Sequence, residues 1–567
     1  MFKGLVARLN IDNLLGANIK MKFNFVSAPT INDFFLKEKP LSDFSPSIPI
    51  GILSLAAVLE QKGGVIPSVV NLDRLFVEWS KYKNSLTDFA KYAACAIAAT
   101  DAQFFGFSSI CSSYPLTLRI ISLLKQLRPD ILIILGGPQA SASAAATLKA
   151  FPSVDFVVRG EGENILPKLL DTVDCSGNLD SVLGISYLSN GHLVHNSDAP
   201  IIENLDSLPM PAYHLIPWIK ELCRLPVEAG RGCPFSCTYC STNQFFRRKY
   251  RLKTPEIIVQ QMLELNKKYE IERFSLLHDN FTANRKRVIA FCKELSKTDM
   301  EFSWECSARI DCIDKELIEL MGKAGCSRIF LGIESGSKRI QESIRKKIDL
   351  DTAMDRICHL NSTQIDASVS FIIGFPDETI DDLRMTANYF IELLRYEHVK
   401  PQIGLLSPLT GTPIQQKYHR KLINESIVSE VAFQSLEQYI QEIKMVASYP
   451  DIFSNFYSIP TAHFDRKYAA ELKNFLLFSM KTLRWLFVAL IQMEGDIIDL
   501  FNCWRDWHIS HGDESIKNSR INYSSPEIRN EFLRFVLSKV ATNENWDRQA
   551  IIALVEKASS NFKDLAL

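Results

Sequence analysis

Two successive runs of short Val/Ile/Phe-rich segments, each alternating with helix-like stretches, commit this chain to an α/β architecture. The first run comprises Lys22 to Ser27, Ile66 to Leu72, Phe104 to Ser109, Ile131 to Leu135 and Val154 to Val158, with helices expected over 50–62, 87–99, 116–127 and 143–150. Near-continuous apolar strands between helices imply a parallel sheet covered on both faces, here a Rossmann-like doubly wound domain over 21–175. The second run has strands expected near 226–230, 273–278, 301–307, 327–333, 367–373 and 402–406. Six strand-helix units fall short of the eight of a closed barrel, so residues 223–414 read as a partial (β/α)6 barrel. Between the two runs, residues 176–222 read as a linker with a hairpin, because Asn190-Gly191 lies between alternating apolar residues and Asn-Gly is a strong two-residue turn. After Pro413 helical periodicity takes over, so 415–567 read as an α-helical domain. Its helices are expected over Ile427 to Met445, Arg466 to Gln492, Asp496 to His508, Glu527 to Val540 and Arg548 to Lys563. Its dense aromatics suit a cap over the barrel mouth and read as core, not as a recognition surface.

Composition narrows the class. A length of 567 residues fits about three domains. The formal net charge of -1 gives no global electrostatic case for nucleic acid or an anionic membrane. The opening residues, Met1 to Arg8, lack the apolar run of a signal peptide, so 1–20 read as a loose tail, or Met21 as the start. The most membrane-like stretch, Phe475 to Met493, is interrupted by Lys481 and Arg484. A crossing helix needs about 20 apolar residues, so a buried amphipathic helix is favoured over a surface-lying one and no transmembrane segment is expected. The 13 cysteines show no disulfide-like spacing, which indicates a reducing, cytoplasmic setting.

Chemistry concentrates in Arg231-Gly-Cys-Pro-Phe-Ser-Cys-Thr-Tyr-Cys240, where Cys233, Cys237 and Cys240 are spaced Cx3Cx2C. One short loop so spaced can wrap three thiolates around a cubane iron-sulfur cluster. A four-iron cluster ordinarily takes four protein ligands, so one iron is left open, as in catalytic metal sites. A zinc knuckle is the competing reading; its fourth ligand would have to come from Cys223 or His214.

With Tyr239 just before the last cysteine, this loop resembles the radical S-adenosylmethionine (radical SAM) superfamily. The resemblance implies a [4Fe-4S] cluster whose open iron binds SAM, and an electron that cleaves SAM to a 5'-deoxyadenosyl radical. The electron donor would be a flavodoxin or ferredoxin. It further implies SAM contacts from strand-end loops, carried over here to Asp279, Glu334, Ser335, Gly374 and Phe375, with Tyr239 beside the adenine.

The loops of the first domain point to a second cofactor. Ser108-Ser109, Gly136-Gly137-Pro138 and Gly160-Glu161-Gly162-Glu163 end successive strands, where doubly wound sheets bind ligands and where glycine lets backbone approach closely. Together with Pro49-Ile-Gly-Ile-Leu-Ser they resemble the cobalamin-binding domain that precedes many radical SAM cores, as in the class B methyltransferases. The Asp-x-His-x-x-Gly loop of cobalt-ligating domains is missing: the corresponding turn is expected at Asp73-Arg-Leu-Phe-Val-Glu. The resemblance therefore implies base-off cobalamin without a histidine ligand, its lower face left to a residue such as Arg74. A degenerate domain that kept the fold and lost its ligand is the alternative, and a nicotinamide site lacks the GxGxxG it would need.

Arg247-Arg-Lys-Tyr-Arg-Leu-Lys253 places five cations in seven residues. This is either an approach patch for a phosphate or carboxylate or a solvated, cluster-neutralising shell. The leading functional expectation is methyl transfer from methylcobalamin to an unactivated carbon of a metabolite or peptide. Cyclisation or another rearrangement is the runner-up, and a non-catalytic cobalamin or SAM module the reading from another class. Methylthiolation would need a second cluster, for which Cys95, Cys111 and Cys175 are poorly placed.

Overall fold

The computed structural model describes residues 21–30, 46–81, 88–427, 429, 440–511, 523, 525–542 and 547–559. The expected tail 1–20 lies outside them, as do residues 428 and 430–439 of the helix expected from Ile427, and the last four residues of the one expected to Lys563.

The amino-terminal sheet has seven strands: β1 Met21–Val26, β2 Val65–Val70, β3 Phe104–Ser108, β4 Leu132–Gly136, β5 Phe156–Val158, β6 Ile185–Ser189 and β7 His192–His195. Their order is β2-β1-β3-β4-β5-β6-β7. The first five are parallel, and β6 and β7 add to β5 antiparallel. The order reverses between β1 and β3, which opens a crevice at their carboxyl ends. Helices 72–81, 89–98 and 114–127 bury their apolar faces on one side of the sheet, and helices 50–62 and 166–174 on the other.

The hairpin therefore does more than link. Asn190 and Gly191 adopt φ of 51° and 81°, as an Asn-Gly turn requires, and the strands they join cover an edge of β5 that would otherwise present unpaired backbone groups. A second difference concerns Asp73, which sits in helix Leu72–Lys81 and not in a turn. Its buried carboxylate accepts hydrogen bonds from the Thr30 amide (2.6 Å), the Thr30 hydroxyl (2.5 Å) and the Ser47 amide (3.3 Å), fastening the chain that leaves β1.

The second sheet contains β8 Leu225–Glu228, β11 Arg273–Leu277, β12 Ser303–Ala308, β13 Cys326–Glu334, β14 Asp366–Ile373 and β15 Val399–Leu405, all parallel and in sequential order. A small antiparallel pair, β9 Gly230–Arg231 with β10 Arg251–Leu252, brackets the cysteine loop. β8 and β15 do not pair, so the barrel is open on one side, as six units require.

The described carboxyl-terminal helices pack mainly beside the barrel, with Arg466 reaching the Leu406 carbonyl at the end of β15. Helix Arg466–Thr482 lies against β15, and the aromatics that follow, among them Phe475, Phe487, Trp504 and Phe532, belong to the barrel's own core. The helix expected over Arg466 to Gln492 breaks at Leu483, where two helices meet at 115°. No single described helix is long and apolar enough to cross a membrane. The preceding segment docks on the other domain instead. Arg119 of helix 114–127 reaches Glu442 at 3.2 Å in a buried pair, and fully buried Phe453 packs on Tyr114 and Phe151 with ring centroids at 5.9 Å and 6.4 Å.

Truncating that anchor, Phe453→Ala, should lower the unfolding free energy of the unit it joins by about 3–5 kcal/mol, seen as a lower denaturant midpoint at unchanged slope. An unchanged midpoint would show that residues 440–457 are not part of the amino-terminal core.

Candidate functional site

The cysteine loop is built by local chemistry. Gly232 has φ +83°, and a Cβ there would meet the Lys249 carbonyl oxygen at 1.9 Å, so only glycine lets the loop leave β9 beside β10. Asp279, at the end of β11, accepts the Gly232 amide and the Thr242 hydroxyl, each at 2.9 Å, and so clamps both ends of the loop. The Thr238 amide donates to the Ile344 carbonyl at 3.0 Å, and the Ile414 amide to the Thr238 carbonyl at 3.0 Å.

Cys233, Cys237 and Cys240 are free thiols on one side of this loop. Burial pushes Cys233 up to about 11, with the neighbouring Cys240 and Cys237 adding to it, and burial raises Cys240 in the same way. The three thiols thus feel one another, yet among the described residues no group of three His, Cys, Asp or Glu is close enough to hold a single metal ion. Three thiols on one short loop offer the soft donors that an iron-sulfur cluster takes, and loading it would release protons.

Around the loop the structure brings together three of the residues expected to contact SAM, Tyr239, Phe375 and Glu334. Tyr239 meets Phe375 edge to face at 6.2 Å. Its hydroxyl lies 3.4 Å from Lys346 Nζ, which pairs with Glu334 at 3.0 Å in a buried contact. Glu334 has φ +70°, a strained setting for a non-glycine residue that turns its carboxylate back across β13. Gly332 leaves the room for this, since a Cβ there would lie 2.1 Å from Glu334 Oε1. A buried cation beside a carboxylate and a phenol fits the polar groups of an amino acid or a ribose.

Ser335 and Gly374 behave differently. Ser335 is fully buried and bonds the Thr386 hydroxyl at 3.0 Å. The Gly374 and Phe375 amides are taken by buried Glu378 at 2.6 Å and 3.2 Å. Burial pushes the Glu378 carboxyl up to about 8 despite those two amides.

Two neighbours of the loop were given no role by the sequence. Arg309, after β12, stacks on Phe235 with its guanidinium carbon 3.8 Å from the ring centroid. It is held by Asp311 and the Lys346 carbonyl at 2.8 Å and 2.7 Å, and points Nη1 at Cys237 Sγ, 3.7 Å away. A positive charge and donor at that sulfur would stabilise the reduced form of a cluster held there. Lys346 lies in a run where Arg345 and Lys347 both have positive φ, and nothing in its spacing marks it.

The strand ends of the two sheets face each other across a cavity of about 550 Å³. Its amino-terminal wall includes Ser108, Gly136, Gly137, Pro138, Gly160, Glu161, Gly162 and Glu163, and Asp279 lines the opposite wall. Phe23, Phe25, Leu55 and Leu166 give the cavity an apolar stretch of wall. A Cβ at Gly51 or Gly160 would meet nothing within 4 Å, so the backbone is open to a broad ligand. The residues thus fit a flat macrocycle.

Ser109 and Arg74 do not line the cavity. Ser109 is buried as a staple, donating to the Gly136 carbonyl at 2.7 Å and accepting the Ala140 amide at 2.9 Å. Arg74 pairs with Glu221 at 3.2 Å and lies over Trp218. His278 joins the barrel-side wall. Its Nδ1 accepts the Asn280 amide at 2.8 Å, which leaves the proton on Nε2, and burial lowers its pKa, keeping the ring neutral.

Glu161 and Glu163 use their carboxylates on protein groups. Arg231 donates to Glu161 (2.9 Å), Glu163 (2.6 Å) and Glu228 (2.7 Å). Arg251 bonds Glu161 at 2.8 Å, and Lys253 reaches Glu228 at 3.4 Å. Three buried cations of the barrel side meet Glu161 and Glu163 across the domain boundary and Glu228 on their own side. Burial alone would raise Glu161 and Glu228, but the hydrogen bonds and charges of these cations outweigh it and hold both low.

Arg231→Met takes the cation from Glu163 and leaves Glu161 to Arg251 alone and Glu228 to Lys253 alone, and should cost about 3–5 kcal/mol, measured by denaturant titration. Because the folded pKa values of Glu161 and Glu228 lie below the ordinary 4.5, the stability they add is complete above that value and lost on further acidification. The wild type should therefore lose stability below about pH 4.5 more steeply than an Arg231→Met/Glu161→Gln/Glu163→Gln variant. Glu378 acts in the opposite sense: its raised pKa means stability falls as pH rises from about 4.5 toward 8. Glu378→Gln should flatten that decline, and an unaltered slope would refute the assignment. Gly232→Ala should fold yet retain well under half of the wild-type iron after anaerobic reconstitution.

Comparison with known proteins agrees with this geometry. The family model of the radical SAM superfamily matches residues 227–390, and that of the B12 binding domain matches residues 44–170. An uncharacterized methyltransferase of Pyrococcus horikoshii is 30% identical over 332 residues, covering 58% of this chain and 71% of that protein. An anaerobic magnesium-protoporphyrin IX monomethyl ester cyclase of Rubrivivax gelatinosus is 31% identical over 281 residues, and the chain spans only half of its length, 50%, against 47% of this chain. Among solved structures, the radical SAM methyltransferase TsrM of Kitasatospora setae, with cobalamin and a [4Fe-4S] cluster bound, superposes with a TM-score of 0.60 at 15% identity, covering 78% of this chain and 87% of that one. The cobalamin-dependent SAM radical enzyme OxsB superposes with a TM-score of 0.62 at 15% identity, covering 98% and 85%; both likenesses speak to the fold. Cysteine loop, facing strand ends, matched family models and the archaeal relative together show that the chain belongs to the radical SAM superfamily, in the branch whose barrel follows a B12-binding domain.

Proposed function

We propose that this chain is a cobalamin-dependent radical SAM methyltransferase acting on an unactivated carbon of a metabolite or peptide. When bound, the cluster, SAM and cobalamin supply one-electron cleavage, a carbon radical and a transferable methyl group. The observation that carries the reading is that Asp279, which clamps the three-thiol loop, lines one cavity together with the glycine-rich strand ends of the B12-binding domain, although the thiols themselves do not line it.

The chain's own residues divide the work. Cys233, Cys237 and Cys240 would ligate three irons and leave the fourth to SAM, while Asp279 and Gly232 keep the loop closed. Tyr239, Lys346 and Glu334 would orient SAM beside that iron, with Phe375 walling its base. Gly136, Gly137, Pro138 and Gly160 would let a corrin ring approach backbone, and the apolar wall at Phe23, Phe25 and Leu166 would lie against it, with no histidine from Asp73's helix. Phe245 and Phe246 line the shared cavity and would keep water from a radical. The free state of all 13 cysteines suits the reducing cytosol and the flavodoxin or ferredoxin donor that such an enzyme needs.

A second reading, cyclisation or rearrangement without net methylation, draws support from the cyclase relative at 31% identity. The two separate without knowledge of the substrate. Protein reconstituted anaerobically with iron, sulfide and cobalamin is reduced in the presence of SAM carrying an isotopically labelled methyl group. The methyltransferase reading expects about four irons per chain, 5'-deoxyadenosine, and label in the corrinoid fraction. Deoxyadenosine without labelled corrinoid would favour cyclisation. Formation of neither product, or unchanged products after alanine replacement of all three cysteines, would refute the radical reading.

A further inference from the structure

A second cavity of about 470 Å³ opens beside the first and shares Pro138, Gly160 and Phe245 with it. It lies against the turn that follows the cysteine loop, where Ser241 and Gln244 line it, while Tyr239, Glu334 and Lys346 do not. Its charged lining groups are Arg159, Arg247 and Asp198, joined by His195. Burial, with Arg159 close by, lowers the His195 pKa, so the imidazole is neutral at physiological pH. Two guanidinium groups thus face one carboxylate, and the cavity carries a net positive charge.

The two arginines are not equivalent. Arg159 is buried, and its terminal nitrogens donate to Asp198 and to the carbonyls of Asn196 and Ile185, which fixes both Asp198 and itself. Arg247 reaches the other Asp198 oxygen at 3.3 Å with side chains about half exposed, 43% and 53%. A half-exposed pair of that length is weak and readily exchanged. Arg247 and Arg248 are successive non-glycine residues in the left-handed region, φ 52° and 58°, so strain marks this turn and not Arg247 alone. Such strain persists where the surrounding structure requires it, often at ligand sites. The cation-rich segment is thereby divided. Arg251 and Lys253 are buried in the network with Glu161 and Glu228, Arg248 and Lys249 are exposed, and Arg247 faces the cavity.

We propose that this second cavity receives an oxyanion group of the substrate, a carboxylate or phosphate, which replaces Asp198 on Arg247 while Arg159 retains the aspartate. A planar guanidinium presents two parallel donors to such a group, and the shared wall at Phe245 and Gly160 directs the rest of the substrate toward the first cavity. The inference rests on the reading of the first cavity as the cofactor chamber, and it commits the substrate to the anionic class.

The test uses the full chain reconstituted with cluster and cobalamin, titrated calorimetrically with inorganic pyrophosphate and, separately, with succinate. At least one probe should bind with an affinity that falls as salt rises; the tighter of the two names the group. Arg247→Gln should weaken that binding at least tenfold, Arg247→Lys should recover part of it, and Arg248→Gln should leave it unchanged. Iron and cobalamin contents of Arg247→Gln should equal those of the wild type. No binding of either probe, equal affinity in Arg247→Gln, equal weakening by Arg248→Gln, or loss of cobalamin from Arg247→Gln would overturn the proposal. Failure of the wild type to take up cofactors would instead strike the functional reading, and the anion titration would still be read on the same protein.

Discussion

The guanidinium of Arg231 is the constraint on which the arrangement turns. It spans the boundary between the two sheets, with three carboxylates on three of its nitrogens, and stands two residues before the first cluster cysteine. Arginine suits this place because its planar fork donates in several fixed directions and stays charged when buried. A lysine would offer one point charge and could lose its proton. Buried ion networks often contribute little net stability against an apolar alternative, since desolvation offsets attraction. Their use here is geometric. The ends of β5 and β8 are held at one register, so the strand-end crevice of the first domain must look into the mouth of the second.

That constraint also explains a division in the first domain's loop chemistry. Gly136, Gly137, Pro138 and Gly160 stay available to a ligand because they have no side chains to engage or have placed them in the helix start. Glu161 and Glu163, in the same motif, are committed to Arg231 and Arg251. A sequence motif that looks like one binding element is half cradle and half fastening. In the barrel the same split separates Tyr239, Glu334 and Lys346, which surround the expected SAM site, from Ser335 and Glu378, which hold the loops in place.

The legible part of this molecule was local. Six barrel strands, five parallel strands, the Asn190-Gly191 turn and the cysteine loop are written in period, turn chemistry and spacing, all set within a few residues. What escaped depends on distant partners. Nothing near Leu483 breaks a helix by composition, yet the chain bends there because the apolar faces on either side pack on different surfaces of one core. The hairpin read as a linker because the open edge of β5 is invisible to it. Asp73 read as a turn because its bonds to Thr30 and Ser47 lie across the fold. Arg309 was visible as a strand-end residue, but its approach to Cys237 requires the β12 and cysteine loops to meet.

The central claim is that two cofactor sites built on separate sheets are locked into one chamber. The direct measurement is electron paramagnetic resonance of the frozen holoprotein, with the cluster reduced and the cobalt in its paramagnetic divalent state. The account predicts magnetic dipolar coupling between the two centres, visible as broadening absent from samples carrying either cofactor alone. Spectra that simply add, with both centres fully loaded, would contradict it.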